Sequence, residues 1–541
     1  MPALNKRFDY GAFISFLILL SLLCYLFCFG IINFLGFESF CTTDMYEDTL
    51  VARLIWESKS LFPDNYLFGN QFYVIATPVL AALFYGITGS MNLAMSLATT
   101  VMSLLILLSL NWMIKPFVKK AEIRYCSLLL MVAASFGPDT IVREDGQLFF
   151  VMCSFYACYL ITFFFLLGDY VRARESEALR PAAFALALFL SVCTGMQSLR
   201  QTCVSMLPIL CYEFLSAFIR LLKHQQLWPK GKRMALIRAL GYLAANVLGL
   251  IFINLLGVKR NEIYYGQSIF NGASIRGKIK DVHEALITVS GYDFTRPGND
   301  AFFTVYFIFT TLLIIAAAII IIRRKKTEGT AIFLWVSFIS ILAVIAASFV
   351  TSVSLRPIYL FPYYCLPALS VLILGPALKG KSQKILCLLV LILASMNLYY
   401  SYHTQISESF MDDPSARKQI CDFAVENGYE YIYGSHSHTA PKIAAYSDGK
   451  LIAGCWDDEI LFKVSPHINI KNIYHIADYS KALFVFLESE LPNAFLETEA
   501  NGTELYFQGQ YGAYHVYTAS KQLLYPISEN INNPDIFPEY N

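Results

Sequence analysis

Long apolar stretches recur from near the N-terminus to about residue 400, parted by short basic clusters, and leave this chain one class of fold. They run roughly through residues 11–36, 92–114, 123–138, 147–168, 182–197, 201–219, 236–257, 301–322, 329–350, 357–376 and 384–400. At about 1.5 Å of rise per residue most of them can cross about 30 Å of hydrocarbon as helices, some only barely. Composition agrees, since 56% of the 541 residues are apolar and 15% charged, more apolar side chain than a water-soluble domain needs. The expectation is a polytopic α-helical membrane protein with about 11 transmembrane helices.

Basic clusters set the expected orientation. They are Lys115, Lys119, Lys120 and Arg124; Arg172, Arg174 and Arg180; Arg220, Lys223, Lys230, Lys232 and Arg233; Arg323 to Lys326; and Lys379, Lys381 and Lys384. All fall on the cytoplasmic side if the first span runs outward and a further apolar segment at 71–89 does not cross; a crossing there would put every cluster outside. Residues 71–89 are therefore read as an interfacial or re-entrant helix. Gln197-Ser198-Leu199-Arg200-Gln201 interrupts one long apolar run, which splits into two short spans. Lys6 and Arg7 precede a first segment too long for a cleaved signal and lacking a small-residue cleavage site, so it is read as a retained span. The N-terminus is then cytoplasmic and the C-terminal region extracytoplasmic, in a multi-pass cell-membrane protein.

Two domains are expected: residues 1–400 as the transmembrane domain, with a long first outer loop at 37–91, and residues 401–541 as a small extracytoplasmic α/β or mostly β domain. Within the latter, Glu504-Leu505-Tyr506-Phe507-Gln508-Gly509 looks like a common engineered protease site without its asparagine and is read as a native strand. Asn501-Gly502-Thr503 fits a glycosylation acceptor, a pattern frequent by chance. Cysteines lie mostly in apolar runs as small hydrophobes; only Cys421 and Cys455 share the polar tail, where an oxidising exterior would permit a disulfide. A net charge of +1 gives no basic face for a nucleic acid, and no phosphate-cradling glycine loop for ATP is present.

Chemistry concentrates in the first outer loop. Thr43-Asp44-Met45-Tyr46-Glu47-Asp48 follows the first span directly, and Tyr46 to Glu57 has helical spacing, with Leu50, Leu54 and Ile55 on an apolar face and Asp48, Arg53 and Glu57 on a polar one. One carboxylate at the helix start suffices to cap exposed N–H groups. Three acids in five residues suggest a site instead, where neighbouring carboxylates raise one another's pKa or share a divalent cation. Either a general base or a metal ligand fits.

The same segment resembles the GT-C superfamily of integral-membrane glycosyltransferases. The likeness lies in a first span, an outer loop with an acidic residue, Ala52-Arg53 nine residues after Asp44, then proline and a second hydrophobic helix. It is nearest the protein O-mannosyltransferase and aminoarabinose transferase branch, whose loop reads Asp-Glu, then Tyr, then Ala-Arg. The resemblance implies a GT-C-like fold, Asp44 as catalytic aspartate and Arg53 as the family's arginine. Met45 stands where the family has glutamate, the neighbouring acids being Glu47 and Asp48, and Phe68-Gly69-Asn70-Gln71 lacks the family's lysine. A second acid in the next outer loop corresponds to Asp145 or its neighbour Glu144, in Arg143-Glu144-Asp145.

The implied donor is a sugar on a polyprenyl phosphate or diphosphate, transferred to a cell-envelope glycan, lipid or protein on the outer face. Such a reaction displaces phosphate at the anomeric carbon while a carboxylate takes the acceptor's proton. The leaving phosphate requires positive charge or N–H donors. Arg356, with Tyr359, Tyr363 and Tyr364 at the outer end of a span, is one phosphate candidate and an interfacial anchor in the plainer reading. Arg200, between two short apolar runs, is a second. His436-Ser437-His438 would place two imidazoles on one face of a strand as a metal pair, without recognised partner spacing. The rival class is a transporter or flippase of lipid-linked saccharides, which predicts internal repeats and charges at mid-membrane depth; no clear repeat is seen. A receptor or scaffold binding wall polymer would explain the tail but not the acidic loop.

Overall fold

A computed structural model describes residues 10–69, 71–134, 149–176, 180–258, 275–290, 301–323, 329–351, 355–402, 415–458, 461–463, 479–521 and 523–524. The chain divides into two compact units: Met1–Gly30, Val101–Leu256 and Gln267–Ile406 form the first, and Ile31–Thr100, Gly257–Gly266 and Ser407–Asn541 the second. Residues 37–91, expected as the first outer loop, are thus grouped with the C-terminal tail.

Among the described residues eight helices are long and apolar enough to cross a membrane: Tyr10–Leu35, Met91–Ile114, Thr202–Leu222, Lys232–Leu255, Ala301–Arg323, Gly329–Val350, Pro357–Ala377 and Lys381–Ser401. The other expected spans are the helices Ala121–Ala133, Ala157–Ser176 and Pro181–Gln197. The second of these is not uniformly apolar, because its last turns carry Asp169, Arg172, Arg174 and Glu175. Arg172 and Arg174, expected in a loop, therefore lie on a helix, and what permits this is pairing. Arg174 is bonded to the fully buried Glu213, which also accepts from Tyr170 Oη at 2.5 Å and Arg220 Nη2 at 3.3 Å. Arg238 and Tyr242 both donate to Asp169. The Arg172 guanidinium lies 3.5 Å from the centre of a Trp112 ring.

Helices Pro181–Gln197 and Lys230–Leu255 touch backbone to backbone. A Cβ at Gly195 would lie 2.0 Å from the Asn246 carbonyl oxygen, and one at Gly249 would lie 2.1 Å from that of Val192. Small residues permit this approach between apolar helices, where tight packing and interhelical hydrogen bonds replace the hydrophobic drive available in water. Asn246 adds one such bond, its Nδ2 donating to Ser191 O at 3.0 Å.

In the second unit five strands, β1 (Tyr431–Ser435), β2 (Ile452–Trp456), β3 (Ala482–Leu487), β4 (Leu505–Tyr511) and β5 (Tyr514–Ala519), form one sheet in the order β2-β1-β3-β5-β4. The first three are parallel and the last two close an antiparallel hairpin. β3 reads Ala-Leu-Phe-Val-Phe-Leu, nearly continuous apolar sequence, as a central strand covered on both faces must. Tyr433, Trp456, Phe484 and Phe486 fill the core, and Leu67 from the segment before Met91 enters it. The stretch resembling a protease site is strand β4, and Cys421 and Cys455 are not joined by a disulfide. Helix Thr77–Thr88, within the segment read as interfacial, has 12 residues. At about 18 Å it is short of the hydrocarbon thickness.

Candidate active site

The acidic helix runs Thr43–Ser58, and the chain caps it with Thr42, whose hydroxyl accepts from Met45 N at 3.4 Å. Asp44 falls in the first turn with its side chain exposed, where the N-terminal partial charge of the helix favours a carboxylate. Asp48 is one turn further and faces inward, 4% exposed. Tyr73 Oη donates to its Oδ1 at 2.5 Å, while Oδ2 has no hydrogen-bond partner among the described residues. Burial pushes this carboxyl up to about 8, against the Tyr73 hydrogen bond that lowers it and with the charge of Asp44 that raises it. Asp48 therefore holds a proton at neutral pH. This corrects the expectation that Asp48 shares a wet face with Arg53 and Glu57; the helix's hydrophilic residues are not all on one side, because Tyr73 supplies an internal donor.

The rest of the helix is bound to the C-terminal sheet within the same unit. Tyr46 Oη accepts from Ala453 N at 2.9 Å and donates to Leu451 O at 3.3 Å, so one phenol satisfies backbone groups along the outer side of edge strand β2. Thr43 Oγ1 donates to His436 O at 2.6 Å. Arg53 bonds Glu57 Oε1 through Nε and Gly449 O through Nη1, each at 2.7 Å. Gly449 has φ +87°, a backbone conformation that favours glycine, and a Cβ there would also stand 2.3 Å from the Met91 Sδ. Glu47 is half-buried.

A second cluster lies in the first unit, at the interruption 197–201. Helix Pro181–Gln197 ends, Ser198 and Leu199 turn, and a helix resumes at Arg200 with a π-helical turn over Thr202–Met206, a distortion frequent at functional sites. The Arg200 guanidinium lies 5.0 Å from the Tyr156 ring centre and 5.3 Å from that of Tyr359. Tyr359 belongs to the 3-10 segment Pro357–Cys365, which directly follows the exposed Arg356. The structure thus brings Arg200 and Tyr359 together and leaves Arg356 at the start of the same segment. Glu144 and Asp145 lie outside the described residues.

Among the described residues no group of three or more His, Cys, Asp or Glu side chains could hold a metal ion. Strand β1 ends at Ser435, so His436 and His438 are in a turn and not paired on a strand face. Asp48, buried and bonded to a phenol, is likewise no exposed metal ligand. Tyr73 and Tyr156 were not legible as site residues: each is one aromatic among many in an apolar sequence, and its role depends on a partner 25 or more positions away.

No protein-family profile and no curated protein matches the chain. Solved structures do. ArnT from Cupriavidus metallidurans bound to undecaprenyl phosphate aligns at 12% identity with a TM-score of 0.57, over 96% of this chain and 100% of that one. The apo state of the same protein aligns at 11% identity and a TM-score of 0.53, over 95% and 99%. The chain shares the fold of these ArnT structures over most of its length.

Proposed function

We propose that the chain is a membrane glycosyltransferase that moves a sugar from a polyprenyl-phosphate or diphosphate donor to an envelope glycan, lipid or protein outside the membrane. The observation that carries this reading is the fold, matched over nearly the whole chain to a protein captured with undecaprenyl phosphate. A flippase reading finds no comparable support, since the buried charges at Asp169, Glu213, Arg174 and Arg238 are held in ion pairs.

The reaction we assign is a single inverting displacement. The acceptor oxygen forms its bond to the anomeric carbon as the bond from that carbon to the phosphate oxygen breaks, and the acceptor's proton passes to a carboxylate. Asp44 suits the base, being exposed in a helix's first turn. Asp48 does not suit it, because it is buried and already protonated at neutral pH. We assign Asp48 to support behind Asp44, Arg53 to anchoring the helix, and Glu47 to the acceptor side. Arg200, with Tyr359 and Arg356, is the phosphate ligand in this scheme: guanidinium groups meet the charge that develops on the leaving oxygen. Asp145 or Glu144 remains the second acid by family likeness alone.

The test is sugar transfer by membranes holding wild type or Asp44→Asn, supplied with polyprenyl-phosphate sugars and the host's own envelope acceptors. Loss of a positioned base lowers the rate by roughly 10²- to 10⁴-fold. Equal transfer by the two proteins would reduce Asp44 to a helix-end charge.

A further inference from the structure

In the second unit the parallel strands stand in the order β2-β1-β3, so the chain crosses from β1 to one side and, after β2, returns to the other. The crevice outside the carboxyl ends of the strands at such a reversal is where open α/β sheets bind ligands. Polar side chains occupy it here. β1 is followed by His436, Ser437 and His438, β2 by Asp457 and Asp458, and β3 by a turn that reaches Glu490. Hydrogen bonds hold these turns together: Ser437 N to Asp458 Oδ1 at 2.9 Å, His436 N to Trp456 O at 3.0 Å, Leu487 N to Glu490 Oε2 at 2.6 Å and Trp456 Nε1 to Glu490 Oε1 at 3.4 Å. His438 and Asp458 are exposed, and Glu490 is half-buried within electrostatic reach of both.

An independent contact ties this edge to the acidic helix. Thr43 Oγ1 donates to the carbonyl of His436, so the neighbour of Asp44 is bonded to the first residue beyond β1. We propose that His438, Asp458 and Glu490, at the carboxyl edge of β1 and β3, form the acceptor subsite beside Asp44 and receive a hydroxyl-rich acceptor end that bears no anionic group.

Charge selects this class. Asp457, Asp458 and Glu490 lie at the edge and Glu47 and Asp458 both act on Cys455 beside it, while the nearby cations are Lys442, within electrostatic reach of Asp458, and Arg417, within reach of Lys442. Burial lowers the His436 pKa, against the charges of Asp458 and Asp457, and so disfavours a cation at this edge. A phosphate or carboxylate on the acceptor would be repelled, whereas sugar hydroxyls donate to carboxylates and both donate to and accept from imidazole.

This subsite rests on the glycosyltransferase reading, and its test separates the two. Full-length protein in membranes would be assayed with undecaprenyl-phosphate sugars, titrating host envelope acceptor at saturating donor and then donor at saturating acceptor. His438→Ala and Asp458→Asn are each expected to raise the acceptor KM roughly 10-fold and leave the donor KM and the melting midpoint unchanged. Asp458→Asn retains the oxygen that Ser437 N donates to, so its turn is kept. Unchanged acceptor KM in both variants, with wild-type transfer intact, overturns the subsite alone. No transfer by wild type with any donor overturns the reading on which it rests. Equal competition by a neutral oligosaccharide and its phosphorylated counterpart overturns the charge selection.

Discussion

Buried carboxylates in the two units are neutralised in opposite ways. In the helical unit Asp169 and Glu213 are paired with guanidinium groups from neighbouring helices. In the second unit Asp48 meets a phenol, and burial keeps a proton on it. An ion pair is a fixed device, whose geometry lasts while both partners stay folded. A protonated acid is a conditional one, since its neutrality depends on pH. The conditional device sits one helical turn from Asp44, where an unneutralised second charge would also raise the basicity of the exposed carboxylate. Asp44 itself is exposed to water.

Removing one member of the fixed device should have the largest effect on stability. Glu213→Gln leaves Arg174 and Arg220 directed at a neutral amide, with Tyr170 keeping an acceptor. Breaking a buried pair on one side costs about 3–5 kcal/mol because the remaining charge is uncompensated. The expected result is a sharp drop in folded yield and melting midpoint of detergent-purified protein, partly recovered by Arg174→Gln in the same chain. If Glu213→Gln melts with wild type, the pairing contributes little and the contrast between the units fails.

Asp48 allows a sharper test because the sign is fixed. Its folded pKa, about 8, lies above the ordinary value of 3.8, so the native state holds a proton that the unfolded chain releases. The stabilisation linked to that proton is complete below pH 4, declines as pH rises, and is gone once pH has passed through about 8. Asp48→Asn keeps an acceptor for Tyr73 and has no proton to lose. Between pH 6 and 8 wild type should lose about 2 kcal/mol relative to this variant, read as diverging melting midpoints. Parallel pH profiles would show that the carboxyl is ionised throughout.

The sequence made the bundle legible because membrane crossing is a local property: a run is long and apolar or it is not. The interruption at 197–201 was visible for the same reason, and the structure does break there. The acidic helix was also legible from its spacing and its start after a span. Which of its faces is wet was not, since Tyr73 supplies the donor for Asp48 and Gly449, 396 positions away, the acceptor for Arg53. Helical periodicity reports the polarity of a side chain but not what folds against it. The GT-C likeness rested on a few residues around Asp44 and Arg53, yet the fold agrees over 96% of the chain at 12% identity. Spacing of spans persists where side chains do not.

The smallest effect tests how the second unit holds its helix. Tyr46 Oη bonds both Ala453 N and Leu451 O on the outer side of β2, a side with no further strand among the described residues. Tyr46→Phe keeps the ring's packing but leaves an edge amide without its phenol acceptor, a loss of about 1 kcal/mol. The global melting midpoint should fall little, while backbone amide exchange at Ala453 rises by about five-fold, since local opening now costs less there than in β3. Exchange confined to Ala453 and its neighbours would mark Tyr46 as an edge cap. If protection is lost along the whole helix Thr43–Ser58 as well, the phenol orders the segment that presents Asp44, and the second unit's sheet governs the proposed base as well as carrying it. Unchanged exchange at both places would show that water replaces the hydroxyl at no cost and that the helix is held by Thr43 and Arg53 instead.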